Sequence, residues 1–274
     1  MRWKYVKHLK RWRDMRKGKV IIDSRTKLSG PVSLPSLNIS EFFMDSIQGE
    51  GPTVGTPAAF LRLQGCTLRC SYCDTKYAWN PYHVSVVNVN ELLDLMEKHG
   101  LVKKLAKMGE GYHLVITGGS PLFQQGALEE LFEEFYRRHG FVPIIEVENE
   151  CVIKPSRKMD AFVSYWNNSP KLSTSGMDKE ERYFPEVLKS FEDSTAEVCY
   201  KFVITRGEED WKEIEEDFIN PGFVLPEQIW LMPEGRTRQE LEANIELTLE
   251  LCVKNGVHYS PRLQIDIWGD TRGV

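Results

Sequence analysis

Three cysteines crowd the stretch "LQGCTLRCSYCDT" (63–75), at Cys66, Cys70 and Cys73, and they are half of the six in the 274-residue chain. A thiolate is the soft ligand chosen by zinc and by iron–sulfur centres. A structural zinc ion closes its shell with four protein ligands, commonly two CxxC-type pairs far apart in sequence. Here one triplet stands alone, and the nearest imidazole is His83, which would complete a zinc site. Three cysteines on a 4Fe-4S cluster would instead leave one iron open to a small-molecule ligand. Both chemistries presuppose reduced thiols. No apolar run approaches the roughly 20 residues that cross a bilayer, and the N-terminus "MRWKYVKHLKRWRDMRKGK" lacks the apolar stretch of a secretory signal. A cytoplasmic protein is therefore expected, in which clustered cysteines bind metal or catalyse rather than form disulfides. Cys151, Cys199 and Cys252 occur singly in apolar segments and read as small buried hydrophobes.

Elements must hold such a triplet in place. Residues 1–19 carry nine Lys or Arg against one acid, Asp14, although the whole chain has a net charge of -5. Trp3, Val6, Leu9, Trp12 and Met15 recur at every third position, which predicts a short amphipathic helix with a basic outer face. Residues 18–38 are rich in Gly, Pro and Ser and read as a linker, so the division expected is a basic extension and linker over 1–38 and a catalytic domain over 39–274. The acidic body argues against broad binding of nucleic acid.

Six segments dense in β-branched and aromatic residues predict strands: "AAFLRL" (58–63), "HLVIT" (113–117), "VPIIEVE" (142–148), "AFVSYW" (161–166), "VCYKFVIT" (198–205) and "QIWLM" (228–232). Between them, "NVNELLDLMEKHG", "GALEELFEEFYRRHG" and "RQELEANIELTLELCVKNG" carry the caps and closing glycines of helices. The alternation predicts an α/β fold with a parallel sheet, open or closed into a barrel. Such sheets gather their chemistry at the carboxyl ends of the strands. The cysteines, "TGGSP", "ENE", "NNSPK" and "MPEG" all follow predicted strands.

CxxxCxxC after the first strand of a β/α domain resembles the radical S-adenosylmethionine superfamily. "SIQGEGPTVGTPAAFLRLQGCTLRCSYCDTKYAW" (46–79), "VITGGSPLFQ" (115–124), "IEVENE" (145–150), "SPKLS" (169–173), "KFVI" (201–204) and "SPRLQIDIWGDTRGV" (260–274) resemble the 7-carboxy-7-deazaguanine synthase family over nearly everything from residue 39 onward. The resemblance implies a partial (β/α)6 radical-SAM barrel. It also implies a lyase that rearranges 6-carboxy-5,6,7,8-tetrahydropterin to 7-carboxy-7-deazaguanine with loss of ammonia, in 7-deazapurine and queuosine-type biosynthesis. Its cofactors would be a 4Fe-4S cluster, S-adenosylmethionine and Mg2+. The initiating radical comes from the cofactor, so no side chain is expected to be catalytic in its own right.

Carried onto this chain, the resemblance implies that Cys66, Cys70 and Cys73 hold the cluster and that Thr75 is a magnesium ligand. Ile47, Gln48, Gly49, Arg62, Thr117, Glu148, Gln264 and Val274 would contact the pterin, with Glu146 a rival for Glu148 because the two share a strand face. Tyr72, Cys73, Asp74, Gly118, Gly119, Ser120, Ser169, Pro170, Lys171, Met232 and Pro233 would contact S-adenosylmethionine. An external electron donor such as flavodoxin or ferredoxin and a homodimer are implied as partners, with no membrane.

Three departures bear on the site. The family's "GGEP" reads "GGSP", so Ser120 replaces a glutamate and a carboxylate for the cofactor's amino group is absent there or supplied elsewhere. Asn149, Glu150 and Cys151 stand where "TNG" is frequent, and Gln264 where His is common. Two rival readings are a radical enzyme that activates a protein partner and a zinc-bearing nucleic-acid module built on the triplet, His83 and the basic arm. "QGEG" and "WGDTRGV" speak against the first.

Overall fold

Along each central strand the side chains alternate between two environments, and that alternation builds the site. The computed structural model describes residues 19–23, 35–80, 85–269 and 271–274. The basic helix expected near the start, and His83, lie outside the described residues. Ten strands run in chain order among the described residues: Lys19–Ile22 (β1), Ser36–Ile47 (β2), Pro57–Leu63 (β3), Ser85–Asn88 (β4), His113–Gly118 (β5), Ile145–Asn149 (β6), Tyr165–Asn168 (β7), Glu197–Ile204 (β8), Ile229–Pro233 (β9) and His258–Tyr259 (β10).

The sheet order is β1-β2-β3-β5-β6-β7-β8-β9-β10, with β4 paired to β2. From β3 through β10 every pairing is parallel, whereas β1, β2 and β4 are joined antiparallel. The six predicted strands are β3 and β5 to β9, and they lie side by side in chain order. The sheet does not close, so the architecture is a partial barrel.

Helices cover one face. Leu61, Leu63, Leu114, Ile116, Ile145, Val147, Trp166, Phe202, Ile204 and Leu231 are buried in a single core cluster with the apolar sides of those helices. A parallel strand covered on both faces ordinarily reads as continuously apolar. Here the other face carries Arg62, Thr117, Glu146, Glu148, Asn167 and Lys201, so that face is a site rather than a core. Its floor is a small apolar plug of Phe43, Ala58, Phe60 and Val115, with Phe43 and Phe60 stacked at 5.1 Å.

Local signals place the helices well. Asn88 accepts from the Glu91 N–H and caps the helix Val89–Lys98, and the helices Gln125–His139 and Arg238–Asn255 end at Gly140 and Gly256. Two expectations shift. "AFVSYW" is not one strand, because Ser156 caps a helix Arg157–Phe162 by accepting from Met159 N–H, and the strand begins only at Tyr165. The stretch read as a linker contributes β1 and the first residues of β2, so the sheet reaches back into it. No described helix is long and apolar enough to cross a membrane.

Candidate active site

The carboxyl ends of the parallel strands open onto a cavity of about 240 Å³. Cys66, Cys70, Cys73 and Thr75 line it from the loop after β3. Tyr72 and Asp74 of the same loop, Gly118 and Gly119 after β5, Ser169 and Lys171 after β7 and Met232 on β9 line it too. So do Ile47, Gln48, Gly49, Arg62, Thr117, Glu148, Gln264 and Val274, the whole set implied to contact substrate.

Three implied residues do not reach the cavity wall. Ser120 is fully buried, turned toward Glu150, to whose Oε1 its hydroxyl donates. Pro233 is buried because strand alternation sends Met232 inward and Pro233, paired with Ile204, toward the helices. Pro170 is buried between Ser169 and Lys171.

The cysteine loop leaves the sheet where two backbones meet closely. Gly118 has φ 135°, and a Cβ there would collide with the Leu63 backbone. Gly119 N–H donates to Leu63 O at 3.1 Å and Ser120 N–H to Gly65 O at 2.8 Å, which pins the loop to the end of β5. Leu68 N–H donates to Cys66 Sγ at 3.4 Å, and Thr75 Oγ1 lies 3.6 Å from Cys73 Sγ. Burial pushes the Cys66 thiol up to about 11 and the Cys70 thiol in the same direction. Thiols in that state become thiolates when a metal supplies the compensating charge. Among the described residues no three His, Cys, Asp or Glu converge as a single metal ion requires. Three thiols on one cavity, one of them accepting a backbone N–H, are the donor set that a 4Fe-4S cluster with one open iron takes.

The two carboxylates of β6 have different fates. Glu146 is fully buried and accepts from Gln48 Nε2 at 3.0 Å, Thr53 Oγ1 at 2.9 Å and Asn167 Nδ2 at 2.8 Å, while His113 Nδ1 bonds its other oxygen. Burial pushes its pKa up, but His113 and the hydrogen bonds outweigh that and hold it below the ordinary value. Its lone pairs are spent within the protein. Glu148, one strand repeat nearer the rim, lines the cavity and takes Thr117 Oγ1 at 2.6 Å. Glu148 is therefore the carboxylate open to a ligand. Gln48 is also committed: its Nε2 serves both glutamates, its Oε1 accepts Glu50 N–H, and its N–H bonds Thr56 O at 2.7 Å. It positions carboxylates more than it grips a ligand.

Arg62 Nε lies 3.5 Å from Glu41 Oε2, and Arg272 holds the other oxygen of Glu41 while stacking 3.5 Å over the Tyr77 ring. This chain of contacts carries the segment ending at Val274 to the cavity wall.

Sequence reasoning gave no role to Glu50, Lys201 or Arg262, which form a second group with Gln264 and Asp74. Glu50 bonds Lys201, Arg262 Nε at 3.1 Å and Gln264 Nε2 at 2.7 Å. Arg262 also bonds Asp74 and the Gly235 carbonyl. Burial alone would raise the pKa of Glu50, but the cations Lys201 and Arg262 win and hold it well below the carboxylate range. The signal for this buckle was present in "QGEG", "KFVI" and "SPRLQ", but its partners lie 151 and 212 residues from Glu50.

Known proteins resemble this chain along most of its length. A family model described as a 4Fe-4S single cluster domain matches residues 47–148. The 7-carboxy-7-deazaguanine synthase of Pyrobaculum aerophilum is 34% identical over 240 residues, covering 87% of this chain and 98% of the relative. That of Rhodopirellula baltica is 31% identical, covering 87% and 89%. The crystal structure of QueE from Escherichia coli shares the fold, with a TM-score of 0.59 at 22% identity, over 83% of this chain and 94% of that one.

Proposed function

The chain belongs to the 7-carboxy-7-deazaguanine synthase family, and from that premise we propose that its cavity contracts the ring of 6-carboxy-5,6,7,8-tetrahydropterin to 7-carboxy-7-deazaguanine with loss of ammonia. It is a radical S-adenosylmethionine lyase of 7-deazapurine biosynthesis. The observation that carries the reading is the meeting, on one 240 Å³ cavity, of the three cysteines with Arg62 and the cavity-facing carboxylate Glu148.

Cys66, Cys70 and Cys73 would hold a 4Fe-4S cluster, which when bound supplies the electron that splits S-adenosylmethionine and so opens radical chemistry on the pterin. The remaining work belongs to the chain's own groups. Arg62 offers a planar guanidinium to the substrate carboxylate, a match for bidentate hydrogen bonding. Glu148, steadied by Thr117 and Gln48, accepts from the guanidine-like edge of the pterin, which presents paired N–H donors to paired oxygens. Glu146 keeps Gln48, Thr53 and Asn167 in place beneath it. Phe43 and Phe60 form an apolar floor that excludes water from the ring.

Thr75, next to Cys73, supplies an oxygen for Mg2+, a hard cation that keeps waters and can bridge to a carboxylate. Gln264, Gly49 and Val274 complete the pterin wall. Reduced flavodoxin or ferredoxin donates the electron, and the chain pairs as a homodimer.

The test is incubation of the reconstituted, reduced protein with carboxypterin, S-adenosylmethionine and Mg2+, read by mass spectrometry. The expected product has the mass of 7-carboxy-7-deazaguanine. Cleavage of S-adenosylmethionine with no deazaguanine formed would overturn the substrate while leaving the radical chemistry standing.

A further inference from the structure

Glu150 stands at the rim just past β6, only 5% exposed, on the same cavity wall as Cys66 and Cys70. Its two oxygens differ. Oε1 accepts from the Ser120 hydroxyl and from Thr67 Oγ1 at 3.2 Å, whereas Oε2 is buried with no hydrogen-bond partner among the described residues. Lys171 lines the same wall and acts on Glu150 through space, but makes no hydrogen bond to it: its Nζ donates to Ser169 Oγ at 2.8 Å. A buried carboxylate oxygen without a donor is costly unless something arrives to satisfy it. The backbone holds it there: Cys151, next in the chain, has φ 62°, a left-handed conformation that a residue with a Cβ rarely adopts.

A buried, half-satisfied carboxylate calls for a cationic N–H donor. Of the ligands in the proposed reaction, S-adenosylmethionine carries one, its α-ammonium group, and the thiols of the cysteine loop lie on the same wall. We infer that Glu150 Oε2 receives the ammonium of S-adenosylmethionine, with Ser120 and Thr67 as positioning residues that fix the carboxylate's rotation. The inference rests on the proposed function. It accounts for Ser120: the loop after β5 supplies a hydroxyl, the loop after β6 supplies the charge, and the hydroxyl faces the carboxylate. The carboxylate has in effect changed strands.

The experiment measures S-adenosylmethionine binding by calorimetry, on anaerobically reconstituted protein whose iron and sulfide have been counted. A deaminated analogue of the cofactor serves as the second probe. Glu150→Gln should load iron as the parent protein does and bind S-adenosylmethionine about tenfold or more weakly, because the ammonium exchanges a carboxylate partner of opposite charge for a neutral amide oxygen. The analogue should bind both proteins alike. The exchange variant S120E/E150Q should recover most of the loss. Binding of S-adenosylmethionine to E150Q within about twofold of the parent, or an equal loss for the analogue, would overturn the inference. If E150Q fails to load iron, the exchange variant decides: near-parent affinity upholds the role, and loaded protein that binds poorly overturns it. The parent protein is read first, since a loaded parent that binds no S-adenosylmethionine refutes the proposed function itself.

Discussion

Gly49 and Gln264 occupy one another's space: a Cβ on Gly49 would overlap the Gln264 side-chain oxygen, although the backbone bond from Leu263 N–H to Gly49 O, 3.0 Å, joins the same two segments. The obstructing atoms are chiefly the far end of a flexible side chain, so Gly49→Ala can be accommodated by swinging Gln264 away from Glu50. The damage then falls on the site rather than the fold. Unfolding stability should change by less than about 1 kcal/mol, while KM for the pterin rises about tenfold. Chemical denaturation beside steady-state kinetics checks this, and a stability loss without a kinetic one would contradict it.

Glu148→Gln and Glu146→Gln should fail in opposite ways. The first removes an acceptor that faces the cavity, so KM for the pterin should rise about tenfold or more with the fold intact. The second breaks a fully buried acceptor serving Gln48, Thr53, Asn167 and His113, and should cost about 2–4 kcal/mol of stability. Urea midpoints and kinetics on both variants separate the two roles.

Glu50→Gln leaves Lys201 and Arg262 facing a neutral partner, and at pH 7 this should cost about 3–5 kcal/mol. The folded pKa of Glu50 is depressed, so its contribution is complete above the ordinary carboxylate value of about 4.3 and is lost progressively as pH falls from there through the lower folded value. The gap between parent and variant should therefore narrow on going from pH 7 to pH 3. Denaturation curves at the two pH values test the sign, and a gap that widens in acid would be the wrong one.

Cys70→Ala removes one of the three cysteines proposed to hold the cluster, so reconstituted protein should lack the brown cluster absorption and all cleavage of S-adenosylmethionine. The far-ultraviolet circular dichroism should be unchanged, since the swap trades one small apolar group for another. A variant that still turns over would unseat the triplet.

Thr75→Val keeps the shape of the residue and loses its oxygen. Cluster absorption should persist while the Mg2+ concentration for half-maximal turnover rises about tenfold. Titration of Mg2+ on both proteins is the measurement.

The parts of this molecule that were legible in its sequence are those set by neighbours in the chain. The cysteine triplet is local, and so are the cap at Asn88 and the β-branched runs that became β3, β5, β6, β8 and β9. The misread strand at "AFVSYW" shows the limit of propensity, because Ala161 and Phe162 suit a strand as residue types and a capping serine five residues upstream of Ala161 made them helical instead. β1 was hidden because its four residues gain their place only by pairing with β2, and no local periodicity records that. The contrast between Glu146 and Glu148 was equally hidden. Both have the same side chain on the same strand face, and only donors brought from Gln48, Thr53, Asn167 and His113 separate them.

Arg262 ties together what the chain keeps far apart. Through Glu50, Asp74 and the Gly235 carbonyl it fastens the turn that holds Gln48 and Gly49, the loop that carries the cysteines and the segment leaving the last long strand. With one guanidinium riveting Glu50 and Asp74, which both line the cavity, the spacing between those walls belongs to the folded chain itself.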